Sequence, residues 1–296
     1  MIKRIHAIIN PAAGQPKPVL HTINSVCHSA GVDWGVSITK DSGDAHRFAK
    51  KAAAEGVDVV VVFGGDGTVM EVASALIGSQ ISVGILPGGT ANVMSVELGI
   101  PGDLEQACQI ACGQSGTIRT VDMGRVGEQY FMLRVGIGFA AEHVIGATRE
   151  MKDRYGVLAY TMSALQTMKD LPVARYRLML DGQQHEVQGI TCRVDNSANV
   201  GIPGLSMTTD TSVSDGLLDV TIVRNADRDS LYSIMSSAAG HGTPNPDAFH
   251  HWQAREITIE ADPPQDVIGD GEPWGETPIT INVVPQAVRF RVAASA

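Results

Sequence analysis

The sequence predicts an α/β domain followed by a second, mostly antiparallel β domain. Two observations carry this prediction. Strand–loop–helix units repeat through the first part of the chain, which is typical of a parallel sheet. From about Thr117 onward, strand-like runs dominate and are joined by turn signals such as Asp181-Gly182. The boundary is expected between Asp122 and Gly127, which gives domains of residues 1–124 and 125–285.

The α/β domain is organised around one stretch, VDVVVVFGGDGTVMEVASALI, which begins at Val57. The five apolar residues from Val59 to Phe63 are too few for a helix and suit a strand buried on both faces. The strand leads into Gly64-Gly65-Asp66-Gly67, and apolar residues then recur at helical spacing. Thr68 is predicted to cap this helix.

A glycine-rich turn between a strand and a helix is typical of a phosphate site. Glycines let the backbone approach a ligand closely, and the helix directs its first N–H groups and its positive dipole end at the same place. Asp66 would repel a phosphate unless it holds Mg²⁺, or water on Mg²⁺, or accepts a proton from an attacking hydroxyl. The alternative is a tight turn with an ordinary exposed aspartate.

The other elements of this domain follow in order. The predicted elements are a strand at Ile5–Ile9, a helix from about Pro18 to Ala30, a strand at Trp34–Thr39, a helix at Ser42–Glu55 capped by Ser42 or Asp44, and a strand at Ile81–Leu86. A second glycine-rich turn follows, with Gly89, Thr90 and Asn92, and opens another helix. Four loops should therefore meet at the carboxyl edge of the sheet, where ligands bind. These loops are Asn10–Gly14, Thr39–Gly43, Gly64–Thr68 and Pro87–Asn92.

The second domain is predicted from seven strand-like runs and one helical insertion, at about Ala140–Lys169. The runs are Thr117–Val126, Tyr130–Ile137, Arg175–Leu180, His185–Val194, Gly216–Val223, Arg255–Glu260 and Pro278–Val284.

Composition narrows the class of protein. The chain has 296 residues, 44% of them hydrophobic and 18% charged, which is ordinary for a soluble protein with a core. The formal net charge of −10 argues against nucleic-acid partners. No apolar run approaches the roughly 20 residues of a membrane span, and the first apolar run is too short for a signal peptide. Four cysteines without zinc-type spacing fit a cytoplasmic protein.

Five sequence blocks carry a resemblance to a known family. They are Asn10-Pro11-Ala12-Ala13-Gly14, Gly64-Gly65-Asp66-Gly67-Thr68, Pro87-Gly88-Gly89-Thr90-Ala91-Asn92, Asp215-Gly216-Leu217-Leu218-Asp219 and Asp270-Gly271-Glu272-Pro273. In this order and spacing they resemble the diacylglycerol kinase catalytic family, in particular its soluble bacterial lipid kinases, with sphingosine kinases as relatives. The resemblance covers essentially the whole chain.

The resemblance implies an ATP-dependent lipid kinase that uses Mg²⁺. It implies an N-terminal domain similar to those of NAD kinases and phosphofructokinases, and a C-terminal β-sandwich. ATP would lie between the domains on the glycine loops. A last strand, at about residues 286–296, would return to the first domain.

The resemblance also assigns site residues. Its nucleotide contacts match Thr39, Gly64, Gly65, Asp66, Gly67, Thr68 and Thr90, while Asn10 would stabilise the neighbouring loop. Its metal site matches Asp215, with backbone oxygens of Ser212 and Leu217, although a turn leading into a strand would read the same. Its proton acceptor matches Glu272.

Asp270 lies two residues before Glu272 and would share its face if the segment stays extended. The two carboxylates could then divide the roles of base and positioning group. The alternative is a polar β-turn with exposed carboxylates, because Asp-Gly is a common hairpin signal.

Two positions depart from the family pattern: many relatives have Asn in place of Met70 and Asp in place of Val93. An acidic residue at the second position would contribute to the metal and water network, so Asp66 would take more of that role here. The lipid acceptor can then be diacylglycerol or another hydroxylated lipid. Expected partners are this lipid and, transiently, a membrane surface met by Arg149, Lys152 and Arg154. Nucleic acid is not expected, and a homodimer stays open. An NAD kinase-like phosphotransferase and a non-catalytic nucleotide or lipid sensor are the alternative functions.

Overall fold

The computed structural model describes residues 2–14, 17–138, 172–198, 211–224 and 249–294. The predicted helical insertion at Ala140–Lys169 lies outside these residues. Contacts divide the chain into two compact units. The first runs to Asp122 and takes up the chain again from Pro285, and the second runs from Met123 to Val284.

The first unit alternates strands and helices. Its elements are β1 (Arg4–Ile9), α1 (Val19–Ala30), β2 (Asp33–Ile38), α2 (Asp44–Ala54), β3 (Val59–Gly64), α3 (Asp66–Ala75), β4 (Ser82–Pro87), α4 (Val93–Glu97), α5 (Leu104–Ala111) and the start of β5 (Thr117–Val126). The sheet order is β2-β1-β3-β4, and every pairing in it is parallel.

Burial explains why β3 and β4 occupy the interior of this sheet. Every residue of both strands is buried, as expected for parallel strands covered on both faces. Helices supply this cover, since α3 packs against β3 and α5 packs against β4. Beyond β4, the end of the last strand pairs in parallel through Arg289 and Phe290.

The strand order places a switch point between β1 and β3. From β1 the chain crosses to β2 on one side, whereas β3 and β4 follow on the other side. The loops after β1, β2, β3 and β4 all leave the same edge because the strands are parallel. Ligands of open α/β sheets bind at the switch point on this edge.

The second unit contains strands joined by antiparallel pairings. These strands are the end of β5, β6 (Gln129–Phe131), β7 (Arg134–Ile137), β8 (Ala174–Leu180), β9 (Gln183–Gly189), β10 (Thr191–Asp195), β11 (Leu218–Val223), β12 (Phe249–Ala254), β13 (Glu256–Asp262), β14 (Asp266–Gly269), β15 (Glu272–Glu276) and the first part of β16 (Ile279–Val292). All but β5 and β6 form the rows β16-β13-β8-β9 and β12-β11-β10-β7-β14-β15, while β5 and β6 pair with each other.

The two rows of strands share one core. Tyr176 and Ile257 from the first row and Val194 and Val220 from the second belong to the same buried cluster. Alternating burial along β8 shows that one face of this strand points into that core. The predicted fold class, a parallel α/β domain followed by an antiparallel β-sandwich, is confirmed.

The strand predictions for this unit were incomplete. The run predicted at Tyr130–Ile137 is two strands, because the N–H groups of Met132 and Leu133 donate to the Asp270 side chain. The run predicted at His185–Val194 also divides, at Ile190. Three strands, β12, β14 and β15, were missed because they are short and carry histidine, proline or glycine instead of an apolar alternation.

Both helix caps predicted in the first unit were wrong. Helix α3 begins at Asp66 with Gly65 as its N-cap, so Thr68 lies inside its first turn. Helix α2 has Gly43 as its N-cap, and neither helix has a side-chain cap from its own N-cap residue.

Candidate active site

The loops after β1 and β3 are joined at the switch point by Asn10. Its Nδ2 donates to Thr68 Oγ1 over 3.0 Å, and its Oδ1 accepts from the N–H of Ala12. Its own N–H donates to the Phe63 carbonyl. One side chain thus fixes the start of the first loop against the first turn of α3, and Thr68 is the acceptor.

The loops after β3 and β4 pack so closely that only glycine fits. The Gly64 carbonyl accepts from Gly88 N and Gly89 N at 3.0 and 3.2 Å. A Cβ on Gly89 would lie 2.5 Å from Gly65 Cα, and one on Gly14, whose φ is +62°, would lie 2.0 Å from the Gly88 oxygen. These glycines therefore have a packing role between loops in addition to any role toward a ligand.

The start of α3 has the geometry of an anion site. The first N–H groups of a helix have no partners within the helix, and the N-cap residue of α3, Gly65, has no side chain that could cap them. A Cβ on Gly67 would meet no atom within 4 Å in the part of the chain that the structure describes. The helix dipole and open amides together favour a phosphate here.

The Asp66 carboxylate binds two backbone amides, a contact that the sequence did not predict. Its Oδ2 accepts from Val93 N at 3.0 Å and its Oδ1 from Met94 N at 3.1 Å. These are the first amides of α4, so the helix behind the second glycine-rich turn already holds a carboxylate of the protein. The predicted roles of Asp66 toward a metal or a proton are not tested by this contact.

Asn92 closes the second glycine-rich turn on itself. Its Oδ1 accepts from Gly89 N, and its Nδ2 donates to the Gly89 carbonyl, both over 2.8 Å. Its φ of +49° lies in the left-handed region, where asparagine is tolerated. Thr90, at the outside of the turn, is exposed.

Thr39 follows β2 and is buried. Its N–H donates to the Ile9 carbonyl at 2.9 Å and its hydroxyl donates to the same oxygen at 3.4 Å. The predicted nucleotide contact is thus held on the end of β1, at the same edge as Asn10 and the glycine turn.

Two residues of this edge were missed by the sequence argument. Lys17 Nζ donates to the Pro87 carbonyl over 3.1 Å and lines a groove of about 450 Å³ with Gly14, Ile38 and Phe63. Glu71, on α3, accepts hydrogen bonds from the start of α2. The position of Lys17, three residues after Gly14, is a sequence signal for a basic residue near this loop. Nothing in the sequence predicts the contact of Glu71 with α2.

In the second unit, Asp270 is the first residue of a tight hairpin turn between β14 and β15. Asp270 and Gly271 have φ of +46° and +92°, so the segment is not extended. The expectation that Asp270 and Glu272 share a strand face is therefore wrong. Glu272 is the first residue of β15, opposite Gly269, and is exposed.

The Asp270 carboxylate is committed to the fold. Its oxygens accept from the N–H groups of Met132, Leu133 and Arg134, at distances that begin at 2.7 Å. Burial raises the pKa of Asp270 to about 6, although these amides partly oppose the rise. The carboxylate thus fixes the β6–β7 connection to the hairpin that carries Glu272.

The predicted metal ligands lie in one short loop before β11. Asp215 is exposed, and its Oδ1 accepts from Leu217 N at 3.0 Å. Ser212 Oγ accepts from Ser214 N at 3.3 Å. Oxygen donors from a carboxylate and backbone carbonyls suit Mg²⁺ or Ca²⁺. No cluster of three or more His, Cys, Asp or Glu side chains suited to a metal occurs in the described ranges.

Comparison with known families matches both units. Residues 4–126 match the diacylglycerol kinase catalytic domain, and residues 134–292 match the YegS C-terminal NAD kinase beta sandwich-like domain. No helix within the described parts of the chain is long and apolar enough to cross a membrane.

Individual relatives agree with these matches. The chain is 30% identical over 267 residues to a Pseudomonas aeruginosa protein named "Probable lipid kinase YegS-like", covering 90% of this chain and 86% of the relative. It is 28% identical over 284 residues to the Bacillus subtilis protein named "Diacylglycerol kinase", covering 94% and 92%. A solved structure described as a diacylglycerol kinase from Bacillus anthracis superposes with a TM-score of 0.78 at 28% identity, covering 98% of this chain and 97% of the other. The chain therefore belongs to the family of diacylglycerol kinases and YegS-like lipid kinases.

Proposed function

We propose that this chain is an ATP-dependent lipid kinase that transfers the γ-phosphate of ATP to a lipid hydroxyl. The observation that carries the proposal is the start of α3. A glycine turn and a helix whose N-cap is glycine lie at the switch point of a parallel sheet, in a chain that belongs to a lipid kinase family.

Phosphoryl transfer asks a protein mainly to position the phosphates and to neutralise their charge. The amides from Gly64 to Thr68 would hold the phosphates, and Asn10 and Thr39 would keep the surrounding loops in place. Mg²⁺ would supply further charge neutralisation. We assign the Asp215 carboxylate and the backbone oxygens of Ser212 and Leu217 to hold this divalent cation.

A lipid hydroxyl needs a base, and we assign this role to Glu272. Its side chain is exposed at the start of β15, and no hydrogen bond engages it in the described part of the structure. Asp270 lacks this freedom because three backbone amides bind its carboxylate. We therefore assign Asp270 to positioning the hairpin and not to proton transfer.

The acceptor that we propose is diacylglycerol or another hydroxylated lipid, met transiently at a membrane surface by a cytoplasmic enzyme. The family supports a lipid acceptor, and the name of the Bacillus subtilis relative points to diacylglycerol for that protein. Val93 and Met70, where the family pattern differs, are the reasons to test a panel of lipids.

The test is transfer of radiolabelled γ-phosphate from ATP, with Mg²⁺, to a panel of lipid extracts. Label in an organic-phase product is expected for the native chain. Glu272→Gln keeps the size of the side chain but removes the base, and should lower the rate by about 10²- to 10⁴-fold. Glu276→Gln, at the other exposed end of the same strand, is the matched control and should retain activity.

Other outcomes select the other two functions. Label on NAD with none on any lipid would indicate an NAD kinase-like enzyme. ATP binding without turnover on any acceptor would indicate a nucleotide sensor. Full lipid activity of Glu272→Gln would disprove the assignment of the base but leave the kinase in place.

A further inference from the structure

Helix α2 begins on a carboxylate that belongs to another helix. Glu71, in the second turn of α3, accepts from Gly43 N at 2.9 Å through Oε1. Its Oε2 accepts from Ala45 N at 3.0 Å and from His46 N at 3.4 Å. Both oxygens of one side chain thus serve the first amides of α2, whose N-cap Gly43 provides no side-chain cap.

Hydrogen bonds to neighbouring elements fix both ends of the segment between β2 and α2. Thr39 N holds its start on the Ile9 carbonyl of β1. The Asp44 carboxylate accepts from Lys40 N and Asp41 N within the segment. These amides, together with Arg47, hold the pKa of Asp44 low, at about 2. At its end, Glu71 holds the segment on α3.

A second link joins the same two helices. His46 Nδ1 lies 3.1 Å from Ser74 Oγ, and Ser74 is one turn after Glu71 on α3. The start of α2 is therefore attached to α3 at two successive turns, and the Glu71 contact is the one that involves a charged group and three amides.

Helix α3 also holds its other neighbour. Asp66, five residues before Glu71, accepts from the first two amides of α4. The helices that follow β2 and β4 thus each begin on a carboxylate from α3. The N-cap residue of α3, Gly65, provides no side-chain cap. Negative groups are stabilising at helix N-termini, so these two carboxylates occupy positions that a phosphate would otherwise favour.

From this arrangement we propose that Glu71 is a positioning residue of the nucleotide site. Its carboxylate holds the Thr39–His46 segment at a fixed position relative to the glycine turn at the start of α3, and keeps anions away from the start of α2. The inference rests on the proposed function, because it takes the nucleotide to bind at the start of α3 beside Thr39.

The variant Glu71→Gln tests the role directly. Glutamine has nearly the same shape, but its NH₂ group would face amide donors, so it cannot accept from Gly43, Ala45 and His46 together. We expect the KM for ATP and the Kd for ATP to rise about 10- to 100-fold, as for loss of hydrogen bonds to a charged group, and kcat to change much less. Amide exchange at Gly43, Ala45 and His46 should accelerate.

Glu105→Gln is the matched control. Glu105 is exposed in the first turn of α5, in the same unit, and its variant should bind ATP like the native chain. A purely structural role for Glu71 would give faster amide exchange with unchanged KM and Kd for ATP, and this result would overturn the proposal. Absence of ATP binding by the native chain would overturn the proposed function and this inference together.

If Glu71→Gln does not fold, Ser74→Ala provides a milder test. It removes the link to His46 and the hydrogen bond that Ser74 Oγ donates to the Glu71 carbonyl within α3. It leaves the Glu71 carboxylate in place and should raise the KM for ATP in the same direction, by about two- to fivefold. An unchanged KM for ATP in a folded Ser74→Ala protein would contradict the positioning role.

Discussion

At the scale of single residues, four carboxylates of the two units differ in what engages them. Asp66, Glu71 and Asp270 each receive hydrogen bonds from two or three backbone amides, whereas Glu272 is exposed. Each of the first three carboxylates fixes one segment against another. The exposed Glu272 is better suited to contact a substrate, and this contrast supports the assignment of Glu272, and not Asp270, as the base.

Asp270 should make stability depend on pH. Its pKa in the folded protein, about 6, lies above the usual value for an aspartate, so the folded state favours the protonated form. The associated stability is fully present below about pH 4 and is lost as pH rises through 6. A shift of about two units corresponds to roughly 3 kcal/mol at most. Urea unfolding of the native chain and of Asp270→Asn at pH 4.5 and 7.5 measures the difference.

We expect the native chain to lose more stability than Asp270→Asn between the two pH values. Asp181→Asn is the comparison variant, because Asp181 also begins an Asp-Gly hairpin turn with positive φ and accepts from the amides of Arg255 and Glu256. Equal pH dependence of the native chain and Asp270→Asn would show that the Asp270 carboxyl does not titrate in this range.

At the scale of elements, α3 is the centre of the candidate site. The sequence predicted its position because five apolar residues precede the glycine turn and apolar residues follow at helical spacing. It could not predict which groups α3 contacts. The partners of Asp66 lie 27 and 28 residues away and those of Glu71 lie 25 to 28 residues away. Contacts at that separation depend on how neighbouring strands align.

Gly67→Ala separates the ligand role of α3 from its structural role. A Cβ at Gly67 meets no described atom within 4 Å, and alanine favours helices, so stability should stay the same or rise by about 0.5–1 kcal/mol. If a phosphate approaches this backbone, the added methyl group should weaken ATP binding, by about tenfold or more. Thermal unfolding and calorimetric titration with ATP measure the two effects.

Gly89→Ala is the contrasting variant, because the added Cβ would lie 2.5 Å from Gly65 Cα. This clash should reduce both the stability of the protein and its affinity for ATP. Native-like ATP affinity in Gly67→Ala would place the phosphates elsewhere.

At the scale of the whole molecule, charge limits how the protein can meet a membrane. The net charge of −10 disfavours general electrostatic attraction to anionic lipids. A lipid kinase of this charge needs a local basic or apolar surface. The basic residues Arg149, Lys152 and Arg154, which lie outside the described residues, remain the sequence-based prediction for that surface.

Changing these three residues to glutamate should weaken sedimentation with vesicles of anionic and neutral phospholipids. The expected loss is about 1 kcal/mol per residue near the surface, and it should shrink as salt is raised. The control changes Arg175, Arg177 and Arg255, which are exposed in the second unit, to glutamate. Equal vesicle binding by the native chain and the first variant would rule out a role for Arg149, Lys152 and Arg154.

The sequence by itself determined the two-part fold and the edge of the sheet that carries the candidate site, because both depend on local patterns: apolar periodicity, glycine turns and the order of strands and helices. It also determined the family, through blocks of motif residues. Only the tertiary structure decided which groups the polar side chains of these loops and turns contact. Thr68 is an acceptor for Asn10, Glu71 holds α2, and Asp270 fixes its hairpin, because hydrogen-bond partners far apart in the chain meet only after the strands have paired.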